Sequence, residues 1–175
     1  MSGDQADLQI LGTLRLSNGV GVVRLEDIFD TDIDDLWSAL TKPDRLEHWF
    51  SEVDGVISLG HEYREKVFTS GWLGTVRVEE FEPPSRLCQK KTPDGPNAVS
   101  IAVEFTLAVD GSQTHLVFEA QGMPLDLLYA YGVGWQIHLE SLATYLTGRT
   151  QFESAGRWNQ LEPAYRAMAS MIADS

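Results

Sequence analysis

The stretch Asp34-Asp35-Leu36-Trp37-Ser38-Ala39-Leu40-Thr41-Lys42-Pro43-Asp44-Arg45-Leu46-Glu47-His48-Trp49-Phe50 decides how the rest of the chain is read. Ile33, Leu36, Trp37 and Leu40 fall at i, i+3, i+4 and i+7, which gives one apolar stripe along a short helix. Thr31 or Asp32 can cap that helix, and Asp34 and Asp35 occupy its first turn, where the helix dipole favours negative charge. Pro43 suits the first turn of a second short helix, because its missing N–H would be unpaired there in any case. Leu46, Trp49 and Phe50 continue that helix at the same spacing. Two short helices in succession, with extended chain on both sides, are the feature to explain.

Working outward, the period changes from 3.6 to 2 on either side. Leu8 to Leu16 and Val20 to Phe29 predict two strands around Ser17-Asn18-Gly19. Asn-Gly between apolar runs is a strong hairpin signal, since both residues tolerate positive φ. Further strands are predicted over residues 52–57, 62–68, 74–81, 86–91, 100–109 and 114–122. Ile101, Val103, Phe105 and Leu107 alternate with Ala102, Glu104 and Thr106, as antiparallel strands with one covered face require. Gly-, Pro- and Asp-rich turns, such as Pro93-Asp94-Gly95-Pro96 and Asp110-Gly111-Ser112, punctuate the run as a meander.

After Met123-Pro124 the helical period returns. Leu128, Tyr131, Trp135, His138 or Leu139, Leu142 and Leu146 share one face of a long helix that ends at Gly148, with Gly132 and Gly134 read as a break at its start. Leu161, Tyr165, Met168 and Ile172 predict a further helix beginning near Pro163 and docking on the body.

Composition limits the functional classes. In 175 residues, 13 Lys and Arg stand against 26 Asp and Glu, a formal charge of −13. That sign opposes a nucleic-acid binder, whose affinity rests on clustered cations, and opposes an anionic membrane surface. The single cysteine, Cys88, can form neither an internal disulfide nor a thiolate-rich zinc site. The start, Met-Ser-Gly-Asp-Gln-Ala-Asp, has no basic or apolar signal region, and no apolar run approaches the roughly 18 residues of a membrane span. The expectation is a soluble, cytoplasmic protein.

The decisive stretch also resembles the Trp-x-Ala-Leu-Thr-x-Pro-x-x-Leu-x-x-Trp signature of the SRPBCC (START/birch-pollen-allergen-like) superfamily. Gly60 before the Tyr63 strand, Gly74 with Val76-Arg77-Val78, Glu82-Pro83-Pro84-Ser85-Arg86-Leu87, and Gly134-Trp135 followed by Leu139, Leu142 and Leu146 add to the match over about residues 20–147. More narrowly, the chain is similar to the branch of heat-shock-protein ATPase activator homologues. The resemblance implies an α+β helix-grip fold, with a curved antiparallel sheet of about seven strands wrapped around the long helix. Residues 1–148 would form one domain with 1–19 as a hairpin arm, and residues 149–175 a helical extension packed on it. It also implies an elongated apolar cavity between sheet and helix. Members bind or transfer lipids, sterols, polyketides and plant hormones, or cyclise polyketides, and eukaryotic activators stimulate a chaperone ATPase.

Candidate chemistry is sparse. Asp30, Asp32 and Asp34 begin like a calcium loop, but Asp35 stands where glycine is needed and Thr41 where glutamate is needed. His48, His61, His115 and His138 show no metal-ligand spacing, so neither metal nor cofactor is predicted. Cys88 beside Lys90 and Lys91 reads as an inert thiol. No Gly-x-Ser-x-Gly elbow or Walker loop occurs, and Gly132-Val133-Gly134 lacks the third glycine of a phosphate loop. The resemblance nominates Tyr63, Trp72, Phe105, Phe118, Tyr131, Trp135, His138 and Leu139 as the cavity lining. His138 is the one candidate for acid–base work, because its ordinary pKa lies near neutrality. The first functional expectation is binding of a small hydrophobic or aromatic molecule without chemistry. The alternatives are a polyketide cyclase/dehydratase-like enzyme using a cavity His or Tyr, and a chaperone-ATPase-activator-like partner in stress response. Expected partners are therefore a small hydrophobic molecule, a second copy of the chain, or a chaperone.

Overall fold

A computed structural model describes residues 9–173. Asn18 and Gly19 take φ of 53° and 79°, the left-handed values that a tight two-residue turn demands, and they join β1 (Gly12–Ser17) to β2 (Val20–Phe29). α1 (Ile33–Thr41) follows, capped by the Asp32 carboxylate, which accepts from the Asp35 N–H at 2.8 Å. α2 (Pro43–Leu46) starts on its proline. Arg45 ties the pair down by donating to the Asp35 carboxylate at 2.8 Å and to the Tyr145 hydroxyl at 3.0 Å. Trp37 and Trp49 are buried, and the Trp49 indole N–H donates to the Ala39 carbonyl.

The meander continues as β3 (Ser51–Asp54), β4 (Glu62–Val67), β5 (Leu73–Glu82), β6 (Arg86–Pro93), β7 (Ile101–Asp110) and β8 (Gln113–Met123). The eight strands form one antiparallel sheet in the order β1-β2-β8-β7-β6-β5-β4-β3. Each strand after β3 pairs with its predecessor, and β8 then returns to lie beside β2. The expected α+β helix-grip fold is therefore present. Among the described residues it has eight strands rather than about seven, because β1 pairs along its whole length with β2 and completes one edge.

α3 (Leu128–Leu146) lies across the covered face, and α4 (Ser154–Ala173) lies behind α3. Two expectations are corrected here. Gly132 and Gly134 do not break α3, which runs through both. Gly132 instead permits contact with α4, since a Cβ there would sit 2.5 Å from Cδ1 of Tyr165. The last helix also starts at Ser154, not near Pro163, and carries that proline inside it. An interior proline removes a backbone hydrogen bond, a cost of about 3 kcal/mol. The full burial of Leu161 and Tyr165 on either side opposes that cost. Gln136 on α3 is fully buried yet completely engaged. Its Oε1 accepts from the Tyr165 hydroxyl at 2.5 Å and the Leu11 N–H at 3.1 Å, and its Nε2 donates to the Gln9 carbonyl at 2.6 Å. Among the described residues, no helix is long and apolar enough to cross a membrane.

Candidate functional site

Period-two alternation aims Tyr63, Glu65 and Val67 of β4, Leu87, Gln89 and Lys91 of β6, and Ile101 and Val103 of β7 at the same covered side of the sheet. The outer end of α3 presents Ala130, Tyr131, Gly134, Trp135 and His138 opposite them. At two of these positions, Ala130 and Gly134, little or no side chain fills the gap. A cavity of about 640 Å³ remains between the layers. Val67, Lys91, Ile101 and Val103 line it from the sheet, Phe50 from the end of the two-helix segment, and Ser70-Gly71-Trp72 from the β4–β5 turn. Leu127, just before α3, and Trp158 of α4 complete the wall. Gly74 lets the Trp72 ring fold inward, because a Cβ there would lie 2.6 Å from the indole Cη2.

The wall is mostly aromatic and aliphatic; beside the hydroxyls of Ser70 and Tyr131 its polar groups are Lys91 and His138. Lys91 Nζ lies 2.6 Å from Glu65 Oε1, and Glu65 Oε2 accepts from the Ser51 hydroxyl at 2.9 Å. The side chains of Lys91 and Glu65 are only 8% and 1% exposed. Two charges taken out of water at this depth persist only because they are paired and hydrogen-bonded. The ammonium also sits 4.9 Å from the ring centre of Phe50, 5.5 Å from that of Trp135 and 5.9 Å from that of Trp72, within cation–π range of all three.

His138 is the second of these groups. Its ring meets Phe50 and Trp135 edge-on, at 4.8 Å and 5.1 Å between centres. Among the described residues, no group makes a hydrogen bond to its nitrogens. Burial, and secondarily the positive charge of Lys91, push its pKa down to about 3, so the imidazole is neutral at physiological pH. Burial also raises the Tyr131 hydroxyl above its ordinary value.

Of the eight residues nominated from sequence, Trp72, Tyr131, Trp135 and His138 border the cavity. Phe105 and Phe118 lie beneath it, with Phe118 4.2 Å and Phe105 6.2 Å from the Trp135 ring centre. Leu139 is fully buried in the core. Tyr63 is buried beside the cavity, where its hydroxyl accepts from Gln89 Nε2 at 2.7 Å, and burial raises its pKa well above 10. Phe50, Lys91 and Glu65 were not nominated. The trace that the last two leave in the sequence is that an acid and a base share the inward phase of two strands with apolar residues, which marks their face without showing that it is covered. The thiol of Cys88 is raised to about 11 by burial and by Glu104, so it is protonated and no ready nucleophile. Of the other histidines, His48 stacks on Tyr145, His61 contacts Ser58, and His115 contacts Glu26; none lines the cavity.

A curved antiparallel sheet closed by a long helix defines the helix-grip class, the SRPBCC superfamily. Within it, residues 30–147 match the family model described as "Activator of Hsp90 ATPase homolog 1-like protein". The match spans well over half of the chain, and the chain belongs to that family. Among solved structures it is similar to the crystal structure of CalU16 from Micromonospora echinospora, with a TM-score of 0.73 and 24% identity, covering 90% of this chain and 95% of that one. DynU16, a protein of the dynemicin biosynthetic locus, is 25% identical with a TM-score of 0.67 over 76% of this chain and 50% of its own. MLL2253 from Mesorhizobium loti is 26% identical with a TM-score of 0.65, covering 74% of this chain and 98% of that one. No curated protein matches the sequence.

Proposed function

We propose that the chain binds a small hydrophobic or aromatic ligand in the cavity between sheet and α3 and leaves it chemically unchanged. The observation that carries this reading is the cavity itself. Its roughly 640 Å³ falls within the range of about 300–1,000 Å³ usual for small-molecule sites, and its wall is apolar with a few polar groups, as such sites are. The similarity to DynU16 agrees with it, since a biosynthetic locus is a setting of small-molecule chemistry.

The electrostatics favour binding over the cyclase-like alternative, in which His138 or a tyrosine would move a proton. A general base works best with a pKa near the working pH, and His138 at about 3 is far too weak a base at neutrality. Tyr131 is shifted upward, away from that range. A chaperone partner, which the family description brings to mind, ranks below both because the distinguishing feature of this chain is an apolar pocket of small-molecule size.

The test is a titration with the neutral apolar dye N-phenyl-1-naphthylamine, followed by quenching of tryptophan emission. Trp72, Trp135 and Trp158 all border the cavity, so a dye seated there reports on itself. Saturable one-to-one quenching is expected, and Val103→Trp, which fills the cavity, should abolish it. Unsaturable quenching, or undiminished binding by folded Val103→Trp, would overturn the reading.

A further inference from the structure

We infer that the ligand carries an acidic group, and that the Lys91 ammonium receives it: the class is an aromatic or polyunsaturated carboxylate. This rests on the cavity being a ligand site, as proposed above. Among the described residues that line the cavity, Lys91 is the one charged side chain.

Its partner is on the far side. Glu65 is 1% exposed and does not border the cavity, so the buried pair turns its positive end toward the space a ligand would fill. The two partners are also unequally satisfied. Both Glu65 oxygens are engaged, one by Lys91 and the other by Ser51. An ammonium has three N–H donors, and Lys91 makes one hydrogen bond among the described residues, to Glu65. The rings of Phe50, Trp135 and Trp72 lie 4.9, 5.5 and 5.9 Å from the nitrogen; they attract a cation but are poorer acceptors than an oxygen. A carboxylate oxygen reaching Lys91 would supply the missing acceptor, and the same three rings would hold a flat carbon skeleton.

His138 adds a second, independent observation. It borders the same cavity, shares contacts with Phe50 and Trp135, and has no hydrogen-bond partner among the described residues. A neutral imidazole can donate one N–H to a ligand oxygen without adding a charge that would repel Lys91. An ammonium and a neutral donor then converge on one oxygen-bearing group. The overall charge of −13 works against anions at long range, so any preference for an acid must originate locally.

The experiment compares pyrenebutyrate with its methyl ester, two fluorescent probes that differ in charge and share the same ring system, on the full chain at pH 7. Wild-type protein should bind the acid roughly tenfold or more tightly than the ester. Lys91→Met alone would strand a buried carboxylate, so the variant is the double change Lys91→Met with Glu65→Gln. It should lose the preference for the acid, binding acid and ester alike. Equal binding of acid and ester by wild-type protein would overturn the inference and leave the cavity reading standing, with Lys91–Glu65 then a structural pair only. A folded double variant that still prefers the acid would overturn it equally. Saturable binding of neither probe would overturn the cavity reading, and this inference with it. Because the wild-type comparison is decisive by itself, the test survives a double variant that fails to fold.

Discussion

His138 shows what burial does to a single side chain here. Its pKa is about 3 in the folded protein against 6.5 ordinarily, because burial and the Lys91 charge penalise the imidazolium. Between those values the unfolded chain takes up a proton that the native state refuses, so acid favours unfolding. The stability that follows is fully present above pH 6.5 and is lost as pH falls toward 3. Each unit of that window costs at most about 1.4 kcal/mol. Carboxylates titrate in the same range, so the informative quantity is a difference. His138→Gln should lose less stability than wild type between pH 6.5 and 4.5 in urea melts at matched pH, and parallel losses would show that the imidazole is not buried neutral. The neighbouring Lys91–Glu65 pair explains why part of this site escaped a reading of the sequence. Alternation in β4 and β6 groups Glu65 with Tyr63 and Val67, and Lys91 with Leu87 and Gln89. It does not say that a helix seals that face, and charged residues are by default placed in water. His138, Trp135 and Tyr131 were legible because their helical spacing coincides with the long helix of the family pattern.

At the scale of the element, α3 owes its position to contacts on two sides, and its two glycines have opposite roles. A Cβ on Gly132 would meet Tyr165 at 2.5 Å and 2.8 Å and Leu14 at 3.2 Å. The ring cannot swing aside freely, because it is fully buried and its hydroxyl is bonded to Gln136. On Gly134 the nearest such atom is Cζ3 of Trp158 at 3.9 Å, an ordinary contact. Alanine is favoured over glycine in a helix by about 1 kcal/mol, whereas overpacking a core costs about 1–3 kcal/mol. Gly132→Ala should therefore destabilise the protein by about 1–2 kcal/mol, and Gly134→Ala should stabilise it by about 0.5–1 kcal/mol. Thermal midpoints moving in the same direction for both would refute this account of the helix contact. Sequence alone presents Gly132-Val133-Gly134 as a weak point, since the residue that explains Gly132 is Tyr165, a whole element away. Pro163 misled for a related reason. Taken locally a proline marks a helix start, while here Trp158, Leu161 and Tyr165 pack on both sides of it and carry α4 through.

Among the described residues, both ends of the chain share one buried cluster with its middle. Leu14 of β1 and Leu161 and Tyr165 of α4 lie outside the stretch matched by the family model, yet they belong to the same buried cluster as Phe50, Phe118 and Trp135. Leu11 and Gln9, ahead of β1, share with Tyr165 the polar anchor at Gln136, and Arg157 of α4 binds Glu140 of α3 at 2.6 Å. The order of strands was the most legible level, because consecutive antiparallel strands joined by short turns leave few pairings open. The return of β8 to β2 was not, since no local pattern links strands so far apart in the chain. That closure makes both ends of the sequence dependent on the middle: β2 carries β1 on one side and β8 on the other, and α4 rests on both α3 and β1. Elements with this many shared partners should not unfold separately. In urea, the loss of helical far-UV dichroism, to which α3 and α4 contribute most, should coincide with the change in tryptophan emission from the five indoles spread through the molecule. A dichroism change that precedes the fluorescence change would mean that α4 leaves an otherwise intact grip, and that the cavity keeps its shape without Trp158. Coincident curves would mean that the helix behind α3 is part of what holds the cavity open.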